Sequence, residues 1–369
     1  MSLIDKDRLE NLGALITLSN IGGIGGNRFY QLIGRFGSAE KTLEASISQL
    51  TDIPCIGRDI ASRIRENQDQ KKAEEIVSEI AKRGWHFFLY NDSDYPAPMQ
   101  EIPDRPPFLF YVGDYFERDA NAIAIVGSRS ASEEGRLFAE NLGAALAQSN
   151  VTVVSGMARG VDIAAHRGAL NSNGRTIAVF GCSLEIIYPP EGKELARRIT
   201  ESGAIFSEFL PGTVPYGPNF PKRNRVISGF SQGVVVIEAA ERSGALSTAS
   251  HAIAQNREVF AVPGSPRFEM SRGTNKLIKD GARLLTSVED IFQDLPRLKG
   301  KIKAGQVKII EGLTDTEKKI LESFADGPVH IDYLSRTLNA SLPEVLQILL
   351  ALELKGIIKE LPGKRYILN

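Results

Sequence analysis

The chain has 369 residues, 42% of them hydrophobic, too many for one small domain and enough for a substantial core. Its 44 Lys and Arg against 45 Asp and Glu leave a formal charge of −1, which excludes a histone-like polycation but allows a local basic patch. No apolar run reaches the roughly 18 residues of a membrane span, and two distant cysteines, Cys55 and Cys182, exclude a disulfide scaffold and a zinc ribbon.

The first ten residues carry three acids and no apolar segment, so they do not read as a signal peptide, and a reducing cytoplasm is the expected compartment. Residues 1–84 are helical by period: Leu9, Leu12, Leu15, Ile16 and Leu18 make one stripe, and Ile76, Val77 and Ile80 another. Two glycine turns lie among them, Ile21-Gly22-Gly23-Ile24-Gly25 and Ile53-Pro54-Cys55-Ile56-Gly57. Both resemble helix-hairpin-helix modules, so a SAM/helix-hairpin-helix-like domain is expected, either as a DNA clamp or as a purely structural unit. Residues 85–119 are aromatic and proline-rich, with Tyr95-Pro96 and Pro106-Pro107, which excludes a long helix.

From residue 120 to about 292, short β-branched runs alternate with amphipathic segments. The runs are Ile123–Val126, Val151–Val154, Ile177–Phe180, Ile205-Phe206, Val234–Ile237 and Val259–Val262. They are bounded by glycine and do not alternate with polar residues, as strands covered on both faces should be. The fold class is therefore α/β, with an extended Rossmann-like, doubly wound, mostly parallel sheet over residues 85–298. A basic linker is expected over 299–312. Residues 313–369 look like a winged helix, with helices holding Ile320, Leu321, Ile331 and Leu334, a third from Pro343 to Leu354, and a wing closing at Gly363. That third helix carries Glu344 and Glu353 and only Lys355 at its end, which favours protein contact over groove reading.

Ligands of open parallel sheets bind beyond the carboxyl ends of the strands, and several of those ends carry unusual loops. One is Gly127-Ser128-Arg129-Ser130, another Ser155-Gly156-Met157-Ala158-Arg159-Gly160, a third Phe180-Gly181-Cys182-Ser183 and a fourth Ser243-Gly244-Ala245. Glycine and serine admit a close-lying ligand, helix starts present unpaired amides, and Arg129 and Arg159 add fork-shaped charge. Together they predict an anion pocket, most naturally for phosphate. Phe220-Pro221-Lys222-Arg223-Asn224-Arg225 puts three cations within four residues beside an aromatic ring, which suits single-stranded nucleic acid. The plainer alternative is a solvated helix start with Phe220 as an anchor.

Other chemistries find no support. There is no GxxxxGK[ST], which excludes a P-loop ATPase, and no GxGxxG after the first strand of the parallel sheet. Gly229-Phe230-Ser231-Gln232-Gly233 matches GxSxG by letter but leads into a strand, the reverse of a nucleophile elbow. The four histidines lack metal-ligand spacing. His166 follows Asp162 by four residues, a hydrogen-bonded or an acid–base pair. No metal, cofactor or catalytic set is expected.

In order along the chain stand Tyr95-Pro96, Gly127-Ser128-Arg129, Ser155 to Asp162 with Ala165-His166, Phe220 to Arg225, Ser243 to Ala249 and Val262-Pro263-Gly264. This series resembles the DNA-processing protein A (DprA/Smf) family over roughly residues 95–285. The resemblance implies a non-catalytic, dimerising core that binds single-stranded DNA. It further implies delivery of incoming strands to the RecA recombinase, past single-strand-binding protein, during natural transformation. It places anion contact on Ser128 and Arg129, further contacts on Arg159, Lys222, Arg223 and Arg225, and base stacking on Phe220. The rival is a nucleotide phosphoribohydrolase of the lysine-decarboxylase-like (LOG) type. That family's Pro-Gly-Gly-x-Gly-Thr segment with its following glutamate is replaced here by Ser243–Ser250, with Glu238 and Glu241 lying earlier.

Overall fold

The computed structural model describes residues 6–66, 69–298, 315–323, 329–338, 340–354, 358–361 and 364–368. The chain divides into two compact units, Met1–Lys301 and Ile302–Asn369.

The first unit opens with α1 (Lys6–Ser19), α2 (Gly26–Phe36), α3 (Ala39–Glu44), α4 (Ile47–Thr51), α5 (Arg58–Glu66) and α6 (Gln70–Lys82). The nine strands of its sheet are β1 (His86–Leu89), β2 (Phe108–Gly113), β3 (Ala122–Gly127), β4 (Thr152–Ser155), β5 (Thr176–Val179), β6 (Ala204–Ser207), β7 (Gly233–Ile237), β8 (Glu258–Ala261) and β9 (Arg283–Leu284). Between them run α7 (Ala97–Gln100), α8 (Glu133–Gln148), α9 (Val161–Asn171), α10 (Lys193–Ser202), α11 (Asn219–Gly229), α12 (Gly244–Ala254), α13 (Glu269–Lys279) and α14 (Val288–Asp294). Strand order is β1-β2-β6-β5-β4-β3-β7-β8-β9. All neighbours from β6 to β9 pair in parallel, while β2 runs antiparallel to β6 and β1 antiparallel to β2.

The runs read as strands are β3 to β8, each matched to within a residue at either end. Their lack of polar alternation has the expected cause. Ala122, Ala124 and Val126 enter one apolar layer with Val226 and Phe230, and Ile123 and Ile125 enter the opposite layer with Leu142 and Leu146. The proline-rich stretch contributes what periodicity did not show, the antiparallel extension. Pro106 and Pro107 stand just before β2, outside its ladder, and the Pro107 carbonyl accepts from Tyr90 N at 2.9 Å.

The boundary expected near residue 84 falls inside one compact unit. Leu12, Leu15, Phe29 and Leu32 share a continuous core with Trp85, Phe87, Phe110 and Ile205, so the opening helices cover one end of the sheet. Arg28 Nη1 and Arg63 Nη1 donate to Gly23 O and Gly22 O, each at 2.7 Å, bracing the first glycine turn. The first residue of α2 packs on Asp104, where a Cβ on Gly26 would stand 3.2 Å from the Asp104 Cβ.

The second unit contains α15 (Asp315–Glu322), β10 (Val329–His330), α16 (Ile331–Leu338), α17 (Leu342–Leu354), β11 (Ile358–Leu361) and β12 (Arg365–Leu368). Its antiparallel sheet has the order β10-β12-β11, and Ile320, Leu334, Val345, Leu349 and Tyr366 form its core. This is the expected winged helix. Leu342, Leu346 and Leu350 lie exposed along α17, opposite in character to a helix that reads DNA. The expected linker over 299–312, Lys355 and Gly363 lie outside the described residues.

Candidate nucleic-acid interface

The chain leaves β3 for β4 on one side and β7 for β8 on the other, so the ends of the adjacent strands β3 and β7 open a crevice at the topological switch point. A groove of about 700 Å³ occupies it. Gly127, Ser128, Arg129, Ser130, Phe220, Arg223, Ser243 and Gly244, all expected from sequence, line this one groove. Gly156 and Arg159 line a small adjoining recess, which Arg129 and Phe220 share.

The loops are shaped from within. Ser128 N donates to Glu238 O at 2.8 Å, Ser130 N donates to Ser128 Oγ at 3.1 Å, and Ser128 Oγ donates toward Met270 Sδ at 3.4 Å. Ser128 is thus buried and serves the loop, leaving Arg129 exposed at its tip. The Arg129 guanidinium lies over the Phe220 ring, 5.1 Å from its centroid, and Tyr188 packs on the same ring at 5.6 Å. Phe220 is half-buried and anchors an arginine, so the plainer reading of this aromatic is the one the geometry supports.

Two helix starts that sequence offered as anion sites hold the protein's own carboxylates. At α8, Glu238 accepts from Ser132 N at 2.8 Å and from the Ser132 hydroxyl. At α9, Asp162 accepts from Gly156 N and Ala158 N, each at 3.1 Å. Asp162 is buried, which raises its pKa against the pull of nearby Arg223. The Gly156 amide expected to meet a phosphate is therefore taken. At the start of α12, by contrast, Ser243 Oγ accepts from Ala245 N at 3.3 Å and a Cβ on Gly244 would meet nothing within 4 Å.

The basic cluster needs correcting. Arg223 is 3% exposed, and its Nη1 donates to Gly156 O at 2.9 Å and to Val179 O. Burial pulls its pKa down to about 10, so it stays cationic at neutral pH and charges the groove floor from beneath. Arg225 is 9% exposed, held 2.5 Å from Glu208 and 3.5 Å from Asp104. These two are internal residues rather than surface contacts. The anion that reconciles cations with the start of α11 is Glu208, itself only 6% exposed. Lys222 is exposed, 3.7 Å from Glu208 and over the Phe209 ring, and Arg159 pairs at the surface with Glu191.

Sequence reasoning missed Arg242 and Asn224, which also line the groove. Asn224 Nδ2 donates to Gly244 O at 3.2 Å and ties α11 to α12. Its position inside the basic run was the available signal. His166 and Asp162 do not form a pair. Thr176 Oγ1 donates to Val153 O, so His166 Nδ1–H donates to Thr176 Oγ1 at 2.7 Å, and burial lowers the imidazole pKa to about 3. Ser231 is buried and donates to Ile227 O and Ser228 O, so no nucleophile elbow exists there. Among the described residues, no group of three or more His, Cys, Asp or Glu could hold a metal ion, and no helix is long and apolar enough to cross a membrane.

These features define a class: a Rossmann-like domain without a P-loop, carrying a basic groove at its switch point and followed by a winged helix. The DNA recombination-mediator protein A model matches residues 86–296, and a DprA winged-helix model matches 308–364. The chain belongs to the DNA recombination-mediator protein A (DprA/Smf) family. Protein Smf of Escherichia coli is 39% identical over 304 residues, 80% of each chain. The structure of DNA processing protein A from Streptococcus pneumoniae superposes with a TM-score of 0.65 at 32% identity, over 78% of this chain and 97% of that one. That of DNA processing protein A from Helicobacter pylori, described for its single-stranded DNA binding mode, gives 0.52 at 29% identity over 58% and 96%.

Proposed function

We propose that the switch-point groove binds the backbone of single-stranded DNA and performs no chemistry on it. The observation that carries this reading is the groove itself: Arg129 at the rim and Arg223 in the floor, in one cleft of about 700 Å³. Phosphates tracking such a groove supply affinity without base readout. The family relationship and the single-stranded DNA binding of the Helicobacter pylori relative support it. A non-catalytic role is supported by Glu238 and Asp162, whose carboxylates are engaged by backbone amides. The test is a gel shift with single- and double-stranded oligonucleotides across a salt series. Single-strand preference with steep salt dependence is expected, and equal retention at every salt concentration would refute the reading.

The family's description as a recombination mediator supports a further step. The protein works in the cytoplasm as a homodimer that protects incoming strands in natural transformation. It hands them to the RecA recombinase against competition from single-strand-binding protein. Light scattering checks the dimer. Strand exchange on DNA pre-coated with single-strand-binding protein checks the loading, which should accelerate when this protein is added.

A further inference from the structure

Cations at a groove matter for an incoming polyanion only where their charge is not already answered. Three arginines line the switch-point groove, Arg129, Arg223 and Arg242. Arg223 is buried and spends its Nη1 on two carbonyls. Arg129 rests on the Phe220 ring, an interaction that leaves its guanidinium edges open. Arg242 is exposed and, among the described residues, makes no ion pair and no side-chain hydrogen bond, although Glu241 precedes it. The other basic residues nearby are compensated: Arg225 and Lys222 by Glu208, and Arg159 by Glu191. Arg242 follows β7, and Arg129 follows β3, the strand that pairs with β7 in parallel. The two uncompensated arginines thus reach one groove from adjacent strand ends.

We propose that Arg242 is a second phosphate-binding residue, holding one backbone phosphate of a strand whose neighbouring phosphates meet Arg129. A guanidinium offers a phosphodiester two parallel donors. The groove presents no free carboxylate to oppose it, since Asp162, the one acid in its lining, is tied to Gly156 and Ala158. The inference rests on the single-stranded DNA reading above and adds a residue to it.

The experiment uses the full-length protein and a fluorescent oligo-dT, with Kd measured over a salt series for the wild type, Arg242→Ala, Arg242→Lys, Arg129→Ala and the double alanine variant. Arg297→Ala, an exposed arginine outside the groove, controls for the loss of one positive charge. Each neutralised phosphate contributes about 0.7 to the slope of log K against log salt. Arg242→Ala should shallow the slope by about that amount, the double variant by about twice as much, and Arg242→Lys and Arg297→Ala hardly at all. Thermal midpoints should match the wild type. A wild type that does not bind oligo-dT would sink the function itself. A wild type that binds while Arg242→Ala keeps its full slope would overturn this assignment alone.

Discussion

The Glu238 carboxylate reaches from the end of β7 to the start of α8, accepting the Ser132 amide at 2.8 Å together with the Ser132 hydroxyl. Gly135 makes room for it, because a Cβ there would lie 2.6 Å from the carboxylate carbon. Glu238 also holds a left-handed backbone, φ 49°, which an L residue adopts at a cost of about 1 kcal/mol. Replacing it with alanine removes a charge-assisted hydrogen bond and keeps the strain, so a loss of about 2 kcal/mol is expected in urea unfolding. Glycine at this position relieves the strain and should lose about 1 kcal/mol less. Equal stability of Glu238→Ala and wild type would show that the carboxylate does not hold this helix start.

Arg225 and Arg129 separate fold from binding. Arg225 and Glu208 are a buried pair, 10% and 6% exposed at their side chains. Arg225→Ala leaves the interior Glu208 with only the longer contact to exposed Lys222 and should cost about 3 kcal/mol. Arg129→Ala should leave stability within about 0.5 kcal/mol of wild type yet weaken binding of single-stranded oligonucleotides of every composition alike. Chemical denaturation and fluorescence anisotropy on the same samples distinguish them. A stable Arg225→Ala protein with weakened binding would reverse the assignment.

This contrast also marks how far the sequence could be read. The β-branched runs from Ile123 to Val262 announce a doubly buried sheet, because each strand's own residues carry the signal. The loops at the ends of β3 and β7 follow, since topology alone brings strand ends to one edge. Charge compensation is different. Lys222 and Arg225 read as part of a bare basic run because Glu208 and Asp104 stand 14 to 121 residues away along the chain, and Arg223 because the carbonyls it serves, Gly156 and Val179, are equally remote in sequence. Glu238 and Asp162 gave no hint that they would fill the anion sites beside them. The β1–β2 extension escaped notice because its strands are aromatic rather than β-branched and are set off by prolines that read as irregular.

His166 makes stability depend on pH. Its folded pKa is about 3, set by burial with Arg223 adding to the depression, against about 6.5 in the unfolded chain. Between those values the unfolded state binds a proton that the folded state refuses. Its contribution is therefore absent above pH 6.5 and grows as a destabilisation when pH falls towards 3, at up to about 1.4 kcal/mol per pH unit. His166→Gln removes this proton and should flatten the stability profile between pH 6 and pH 4. An unchanged profile would mean that the imidazole protonates in place.

Gly181 should control binding without touching DNA. A Cβ there would stand 2.7 Å from Phe220 Cδ1 and 3.1 Å from Cε1, so Gly181→Ala must push the ring toward the groove. The ring carries Arg129 at 5.1 Å, and both side chains line the groove. Moving the platform moves the guanidinium out of its prepared position, and affinity lost to weaker preorganisation is expected at about 1 kcal/mol, roughly fivefold in Kd. The salt slope should stay near the wild-type value, since no cation is removed. Phe220→Leu keeps bulk but removes the ring face and should show the same pattern. The decisive comparison is Gly181→Ala in an Arg129→Ala background. If the glycine acts through the arginine, the second substitution adds little to the first, whereas fully additive losses would mean that Gly181 shapes the groove by another route.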